Sequence, residues 1–170
     1  MRRHCCKLLA AAGLLVLGAG CATLHKGSHQ RIPIESQPEG AGVYVNGDRE
    51  GTTPMVIPLS RRMGHVVEVR KRGFDTERVL LYTVPNERQR AFIRFSSDHY
   101  TGALNQLSPG EVNVELRPTL LPSAPGPDPE VEKEQKLEEA REIRRSGGFS
   151  AADYEYVVSR IEAFYGGEGG

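Results

Sequence analysis

Residues 38–47 have the sequence PEGAGVYVNG, and this stretch determines the expected fold class. It opens with a Pro-Glu-Gly turn, continues into Val43-Tyr44-Val45 and ends on Asn46-Gly47. Asn-Gly is the dipeptide that best tolerates positive φ angles at both central positions of a two-residue hairpin turn. The stretch therefore predicts a short strand that ends in a tight hairpin, with a return strand beginning near Asp48.

The same succession of short apolar runs and turns continues on both sides of this stretch. His65 to Arg70 alternates so that His65, Val67 and Val69 share one face. Further strands are expected at residues 32–36, 55–59, 76–83, 90–95 and 112–116. Several short strands separated by turns about every 8 to 12 residues predict a mainly β fold, a small antiparallel β-sandwich. Its expected core includes Val43, Val45, Val67 and Val69.

Three motif pieces in this region resemble the PEGA domain. They are the naming tetrapeptide at residues 38–41, Gly-Thr-Thr-Pro at residues 51–54 and Lys-Arg-Gly-Phe at residues 71–74, in that order. The resemblance implies a small β-sandwich of surface or envelope proteins, with no catalytic residues assigned to the fold. Residues 101–114 are similar to the segment that closes many small PEGA lipoproteins, so the domain is expected to span residues 32–117.

The amino terminus predicts an export signal. Three basic residues precede an uncharged apolar run at residues 8–19, which is shorter than the roughly 20 residues that span a bilayer. Residues 17–21, Leu-Gly-Ala-Gly-Cys, resemble the lipobox of bacterial lipoproteins, in which a peptidase cuts immediately before a Cys. We therefore expect residues 1–20 to be a lipoprotein signal peptide, and Cys21 to carry acyl chains such as palmitate that anchor the protein in a membrane.

Residues 21–31 are polar and have no apolar period, which predicts an acylated tether. Ala22 follows the expected lipidation site, as in outer-membrane lipoproteins, so a lipid-anchored location in the cell envelope, at the outer membrane, is expected. Loss of residues 1–20 leaves 19 basic and 22 acidic residues. This acidic balance argues against nucleic acid as a partner, because binding phosphates requires a basic excess.

The carboxy-terminal part changes composition twice. Residues 118–129 contain five prolines and predict a semi-rigid extended linker. Residues 130–165 then predict a helical hairpin, with a break at Gly147-Gly148 and a capping box at Ser150 to Asp153. A Gly-rich tail follows at residues 166–170.

This hairpin resembles the short carboxy-terminal module called SHOCT. Isolated helices of about 15 residues are only marginally stable, so the hairpin is expected to pack on a partner. Two alternatives remain open from the sequence. The hairpin docks on its own sandwich, or residues 130–165 contact another protein or a second copy of the chain.

No arrangement of residues predicts catalysis, a metal site or a cofactor. Residues 96–99, Ser-Ser-Asp-His, include the residue types of a catalytic triad, but neighbours in one loop do not reach the mutual geometry that a triad needs. His65 and His99 stand alone, so neither predicts a zinc site. The chain is therefore not expected to be an enzyme.

These inferences predict a non-enzymatic, membrane-anchored envelope lipoprotein that presents a β-domain for binding or assembly. Two rival functions remain, a module that binds cell-wall glycan (peptidoglycan) and an accessory subunit of an envelope machine. If the sandwich binds a ligand, the candidate residues are the exposed ones on its outer faces and turns, namely Tyr44, Arg49, Arg61, Arg62, Arg70 and Arg72.

Overall fold

Asn46 and Gly47 form the expected hairpin turn, with φ angles of 53° and 97°. The turn joins strand β2 (Gly42–Val45) to strand β3 (Asp48–Thr52), which pair antiparallel. The computed structural model describes residues 28–85 and 104–167 of the chain. The dipeptide thus makes the local turn that the sequence predicts.

Six further strands complete two sheets in the described part of the chain. One sheet has three strands and the other has five, in the orders β4-β1-β8 and β3-β2-β5-β6-β7. The neighbouring strands pair antiparallel except β1 and β8, which run parallel. The mainly β sandwich is therefore confirmed, and it contains one parallel pair. The additional strands are β1 (His29–Gln37), β4 (Met55–Ser60), β5 (His65–Arg70), β6 (Glu77–Pro85), β7 (Asn105–Ser108) and β8 (Val112–Glu115).

The core fills the space between the two sheets, and alternate residues of every described strand except β3 supply it. Ile32 and Ile34 of β1 are fully buried, and Leu81 of β6 is nearly so. The residues between them in each strand face outward, which is the period-two pattern of a sheet with one buried face. The expected core valines are all buried: Val43, Val45, Val67 and Val69.

Among the described strands, two of the four crossings between the sheets, from β1 to β2 and from β3 to β4, are joined by a chain of hydrogen bonds. The Ala41 N–H donates to Thr53 Oγ1 over 3.0 Å, and Ser36 Oγ donates to the carbonyl of Pro38 over 2.8 Å. Ser36 Oγ lies 2.6 Å from Thr53 Oγ1. Because the Ser36 hydroxyl donates its proton to the Pro38 carbonyl, the Thr53 hydroxyl is the donor in the hydrogen bond between the two side chains. Both hydroxyl side chains are buried, and their hydrogen bonds are satisfied.

Two helices follow the strands, α1 (Pro129–Arg145) and α2 (Ala151–Gly166). Asp128 caps α1 and Pro129 is its first residue, while Ser150 and Asp153 form the expected capping box of α2. Both helices contribute buried residues, Ala140 from α1 and Val157 and Ile161 from α2. A helical hairpin is therefore present.

The sandwich has two distinct ends, and β1 connects them. At its start, which we call the tether end, the Arg61 N–H donates to the carbonyl of Ser28 over 2.8 Å. At its finish, which we call the hairpin end, the carbonyl of Gln37 accepts from the Leu116 N–H, and the carbonyl of Leu116 accepts from the hydroxyl of Tyr156 in α2. Nine strand residues at about 3.3 Å each separate the two ends by roughly 30 Å.

The predicted tether is shorter than expected, because residues 29–31 belong to β1. Gln30 explains why. Its side-chain amide donates to the carbonyl of Leu107 over 3.1 Å and accepts from the Leu107 N–H over 2.9 Å. The polar residue therefore pairs with the backbone of edge strand β7, a strand that the sequence did not predict.

The predicted linker also begins later than residue 118. Leu120, Leu121 and Pro118 are buried, and the Thr119 N–H donates to the carbonyl of Gly73. This part of residues 118–129 packs on the sandwich because its two leucines supply apolar surface that the prolines flank. The strand expected at residues 90–95 lies outside the described residues.

Replacing Thr53 by Val should lower the free energy of unfolding by about 1 to 3 kcal/mol, because the Ala41 N–H loses its acceptor in a buried site. Val keeps the β-branched shape. Thr52→Val is the matched control, since Thr52 is exposed, and it should leave stability nearly unchanged. Urea unfolding of both variants measures the difference, and equal effects would contradict the role of the buried hydroxyl.

Candidate functional site: the sheet faces and the docked hairpin

Three of the predicted binding residues meet on the outer face of the five-stranded sheet. Tyr44 of β2 lies directly opposite Arg49 of β3 in the strand register. The guanidinium of Arg70, on β5, lies 4.3 Å from the centroid of the Tyr44 ring. This distance is within the range of a cation–π contact. Tyr44 is therefore half-buried under a charged neighbour.

Two further residues, which the sequence did not predict, belong to this group. Glu68 of β5 forms ion pairs with Arg70 and with Arg78 of β6, the latter over 2.7 Å. Hydrogen bonding to Arg70 and then to Arg78 holds the pKa of Glu68 below its ordinary value. One carboxylate is thus shared by two guanidinium groups, and the group keeps a net positive charge.

An exposed apolar patch continues from these charges toward the tether end. Leu80 and Tyr82, both on the outer side of β6, are 66% and 57% exposed. Val66 of β5 lies opposite Leu80 in the register and is half-buried. Large apolar side chains left in water on a sheet face are typical of interaction surfaces. We call this surface the basic face, defined by Tyr44, Arg49, Glu68, Arg70, Arg78, Leu80 and Tyr82.

The remaining predicted binding residues lie elsewhere. Arg61 and Arg62 are in the turn between β4 and β5 at the tether end, next to Met63, which is 54% exposed. Arg72 is exposed in the turn that follows β5, at the hairpin end. The six residues therefore do not form one site, since they divide among the basic face and the two ends.

The outer face of the three-stranded sheet has the opposite charge. An open groove of about 440 Å³ lies on it near the hairpin end, and its lining includes Glu35, Glu39 and Glu115. Glu35 of β1 and Asn113 of β8 are register partners, and both are exposed. Glu115 pairs with Arg160 of α2 over 3.5 Å.

Apolar residues also extend this second face toward the tether end. Val56 of β4 is 48% exposed and lies opposite Pro33 of β1. Pro58 of β4 is exposed and is the register partner of Arg31, the one arginine among the outward residues of β1. We call this surface the acidic face, defined by Pro33, Glu35, Glu39, Val56, Pro58, Asn113 and Glu115.

The helical hairpin packs on the Lys-Arg-Gly-Phe turn at residues 71–74. The ring of Phe74 lies between Phe149 and Tyr156, with centroid separations of 5.9 and 6.1 Å. Both separations are typical of aromatic pairs in protein cores. Burial raises the pKa of Tyr156, whose hydroxyl donates to the Leu116 carbonyl over 3.2 Å. The sequence leaves two alternatives open for the hairpin. In the structure the hairpin docks on its own sandwich.

A largely buried ion pair fixes the start of α2 on the same turn. Lys71 Nζ lies 2.7 Å from Asp153 Oδ1 and also donates to the carbonyl of Glu39. Burial alone would raise the pKa of Asp153, but hydrogen bonds from Lys71 and Ser150 hold it below the ordinary value. Asp153 thus acts both in the helix cap and in the contact between helix and sandwich.

The described residues show no grouping that resembles a catalytic or metal centre. Among them, no three His, Cys, Asp or Glu side chains are close enough together to hold a metal ion. His65 is buried, with Nε2 lying 2.9 Å from the Ser60 carbonyl and Nδ1 lying 3.2 Å from the Asn46 amide, so both ring nitrogens have partners. The predicted lipidation site Cys21 and residues 96–99 lie outside the described residues.

The sandwich strands largely coincide with the region that matches a known family. Residues 30–98 match the PEGA domain. The matched region contains β1 from its second residue and all of β2 to β6, and its three motif pieces meet at the hairpin end through Thr53, Ala41 and Lys71. No curated protein and no solved structure matches the chain. No helix in residues 28–85 or 104–167 has the length and apolar character needed to cross a membrane.

Replacing Gly73 by Ala should weaken hairpin docking. Gly73 has a φ of +81°, and an added Cβ would lie 2.5 Å from Cε1 of Phe149. Gly47→Ala is the matched control, since Gly47 has a φ of +97° and open space around it. Both variants carry a backbone cost of about 1 kcal/mol, so the excess loss in Gly73→Ala measures the contact with Phe149.

The second readout for this pair is limited proteolysis between the sandwich and α1. Cleavage near residues 123–127 should accelerate in Gly73→Ala and stay unchanged in Gly47→Ala. Equal losses of stability and equal cleavage rates would show that Phe149 does not pack on this turn.

Asp153→Asn should destabilise the protein by about 2 kcal/mol at pH 7, because Lys71 loses a charged partner in a largely buried site. The native pKa of Asp153 is depressed, so its contribution is present above the unfolded pKa of about 3.9 and is lost as the pH falls through the lower native value. Wild type and variant should therefore converge below about pH 4. Glu138→Gln, in an exposed pair with Arg141, is the control and should change stability little. A constant difference from pH 7 to pH 3 would exclude this role for Asp153.

Proposed function

We propose that this protein is a non-enzymatic envelope lipoprotein, anchored through an acylated Cys21, whose β-sandwich serves assembly. The observation that supports the proposal is that the two ends of the sandwich differ. The segment that leads back to Cys21 joins the sandwich at one end, and the helical hairpin covers the other end. A molecule arranged in this way stands upright on a membrane. The similarity of residues 30–98 to the PEGA domain supports an extracellular or envelope setting.

The distance between the proposed anchor and the first strand is short. Eight peptide steps separate Cys21 from His29, the first residue of β1, and at about 3.5 Å each they reach at most roughly 28 Å. The tether end would therefore stay close to the lipid headgroups. It presents the turn Arg61-Arg62-Met63, in which Arg62 and Met63 are exposed and Arg61 is half-buried, and an exposed cation beside an apolar thioether suits contact with an anionic membrane surface.

Assembly accounts for the exposed surface better than glycan binding does. A sugar ring would stack on the face of an exposed aromatic side chain, but Arg70 already lies over the ring of Tyr44, so on the basic face only Tyr82 offers an uncovered ring. The exposed Leu80 and Tyr82 beside guanidinium groups fit a protein partner, since aromatic, apolar and arginine side chains are enriched in protein interfaces. The partner is a protein component of the envelope or a second copy.

The helical hairpin has a supporting role in this proposal. Its resemblance to SHOCT suggests a contact module, and its packing on residues 71–74 holds it at the end farthest from the proposed anchor. Exposed side chains of α1, such as Val131, face away from the sandwich and remain accessible to a partner in the envelope.

Cys21→Ser should abolish the incorporation of labelled palmitate and leave the unprocessed precursor to accumulate. The double substitution of Cys5 and Cys6 to Ser is the matched control, because both residues lie in the proposed signal peptide, and labelling should persist. Membrane fractionation after high-salt washing reports the anchor directly. Wild-type protein without label, or a Cys21→Ser protein that is processed and fractionates normally, would overturn the lipoprotein proposal.

A further inference from the structure

The two outer faces of the sandwich carry opposite charges. On the basic face Arg49, Arg70 and Arg78 outnumber Glu68, the carboxylate that pairs with two of them. On the acidic face Glu35, Glu39 and Glu115 line the groove, and they outnumber Arg160, which pairs with Glu115, and Arg31, which lies near the tether end. Both faces are exposed, and they point in opposite directions because they belong to opposite sheets. A surface and its electrostatic complement thus occur on one molecule.

The two faces also share one internal order. On the basic face Arg70 and Arg78 lie toward the hairpin end, and Leu80 and Tyr82 follow along β6 toward the tether end. On the acidic face the carboxylates lie toward the hairpin end. Exposed Val56 and Pro58 follow along β4 toward the tether end. Charge and apolar surface therefore have the same sequence along the long axis of both faces.

We propose that the basic face of one copy packs on the acidic face of the next copy, with both molecules pointing the same way. In this arrangement guanidinium groups meet carboxylates, and Leu80 with Tyr82 meets Val56 with the neighbouring prolines. The reversed orientation would set Arg78 against Val56 and leave the carboxylates opposite apolar side chains. This inference rests on the proposed role of the sandwich in assembly and names the partner as a second copy of the chain.

The symmetry of such a contact has a consequence for the size of the assembly. Two different faces of the same molecule are used, so the contact is heterologous and repeats in a row or closes into a ring. Copies anchored in one membrane have their tether ends on the same side, which is the orientation that the two faces require. The assembly would thus extend along the membrane surface.

The test uses two differently tagged copies of the full chain, co-expressed and extracted in non-ionic detergent. The fraction of one copy captured through the tag of the other is measured. One variant reverses the basic face, R70E with R78E, and the other reverses the acidic face, E35R with E115R. Each variant paired with itself should lose about fivefold or more of the wild-type capture, because like charges then face each other.

The decisive arm pairs the two variants with each other. The reversed basic face now complements the reversed acidic face, and the unaltered faces still complement each other, so capture should return to within about twofold of wild type. Misfolded variants could not recover in this way. Raising NaCl from about 0.1 M to 0.5 M should reduce wild-type capture severalfold, since it shortens the screening length.

R141E with R145E on α1 is the matched control, because Arg141 and Arg145 share Glu138 as Arg70 and Arg78 share Glu68. Its capture should equal that of wild type. The proposal is overturned if wild-type copies do not capture each other, if either face variant captures itself normally, if the mixed pair does not recover, or if the α1 control loses capture, which would assign self-association to the hairpin.

Failure of this proposal and failure of the lipid anchor are distinguishable. Capture in detergent extract does not depend on acylation, whereas palmitate labelling does not depend on the sheet faces. Normal labelling with absent capture rejects the stacking of copies and leaves the anchor intact. Normal capture without labelling does the reverse.

Discussion

The hydroxyl chain through Ser36 and Thr53 is the interaction on which the rest of the sandwich depends. The polypeptide passes from one sheet to the other between β1 and β2, and it returns to the first sheet between β3 and β4. Both crossings are held at one point, where the Ala41 N–H and the Pro38 carbonyl satisfy the two hydroxyls. Consecutive hydrogen bonds of this kind strengthen one another in a low-dielectric site. Two of the four crossings among the described strands are thus held together there.

The packing at the hairpin end is connected to these hydrogen bonds. The carbonyl of Glu39, in the first crossing, accepts from Lys71, and the same Lys71 ammonium pairs with Asp153 of α2. Two short helices would be marginal on their own, but Phe149 and Tyr156 bury aromatic surface against Phe74. Each aromatic side chain that is buried in this way contributes about 2 kcal/mol, which adds to the burial of Ala140, Val157 and Ile161. The position of the helices thus follows from the sheet crossings.

Local signals in the sequence predicted most of the elements correctly. The Asn46-Gly47 turn, the alternation in β5 and the Ser150 cap each depend on neighbouring residues, and each prediction is confirmed. The missed elements depend on distant partners. Strand β7 lacks β-branched residues. It is stabilised by pairing with β6 and by the hydrogen bond that the Gln30 side chain donates to its Leu107 carbonyl. Propensity alone carries no signal for such a strand.

The binding residues were harder to predict for the same reason. Tyr44, Arg49 and Arg70 were identified as exposed, but their grouping with Glu68 and Arg78 depends on the strand order β3-β2-β5-β6. The acidic face was missed because Glu35 and Glu115 are 80 positions apart in sequence and meet through the parallel pairing of β1 and β8. The Lys71–Asp153 pair spans a similar distance. Charge in the sequence indicates exposure, and only topology indicates which charges share a surface.

A membrane anchor would lower the contact strength that two such faces need in order to associate. Two faces that each offer a few ion pairs and a small apolar patch form a weak contact between molecules in solution, since exposed ion pairs contribute little. Tethering confines all copies to one plane with their long axes aligned, which raises their effective concentration and removes the orientations in which the faces do not match. The weak faces of this sandwich are therefore suited to a tethered protein. Stronger apolar faces would associate in any orientation, whereas in the proposed assembly a mixture of arginine, glutamate and isolated apolar side chains would favour association only where the copies are already aligned.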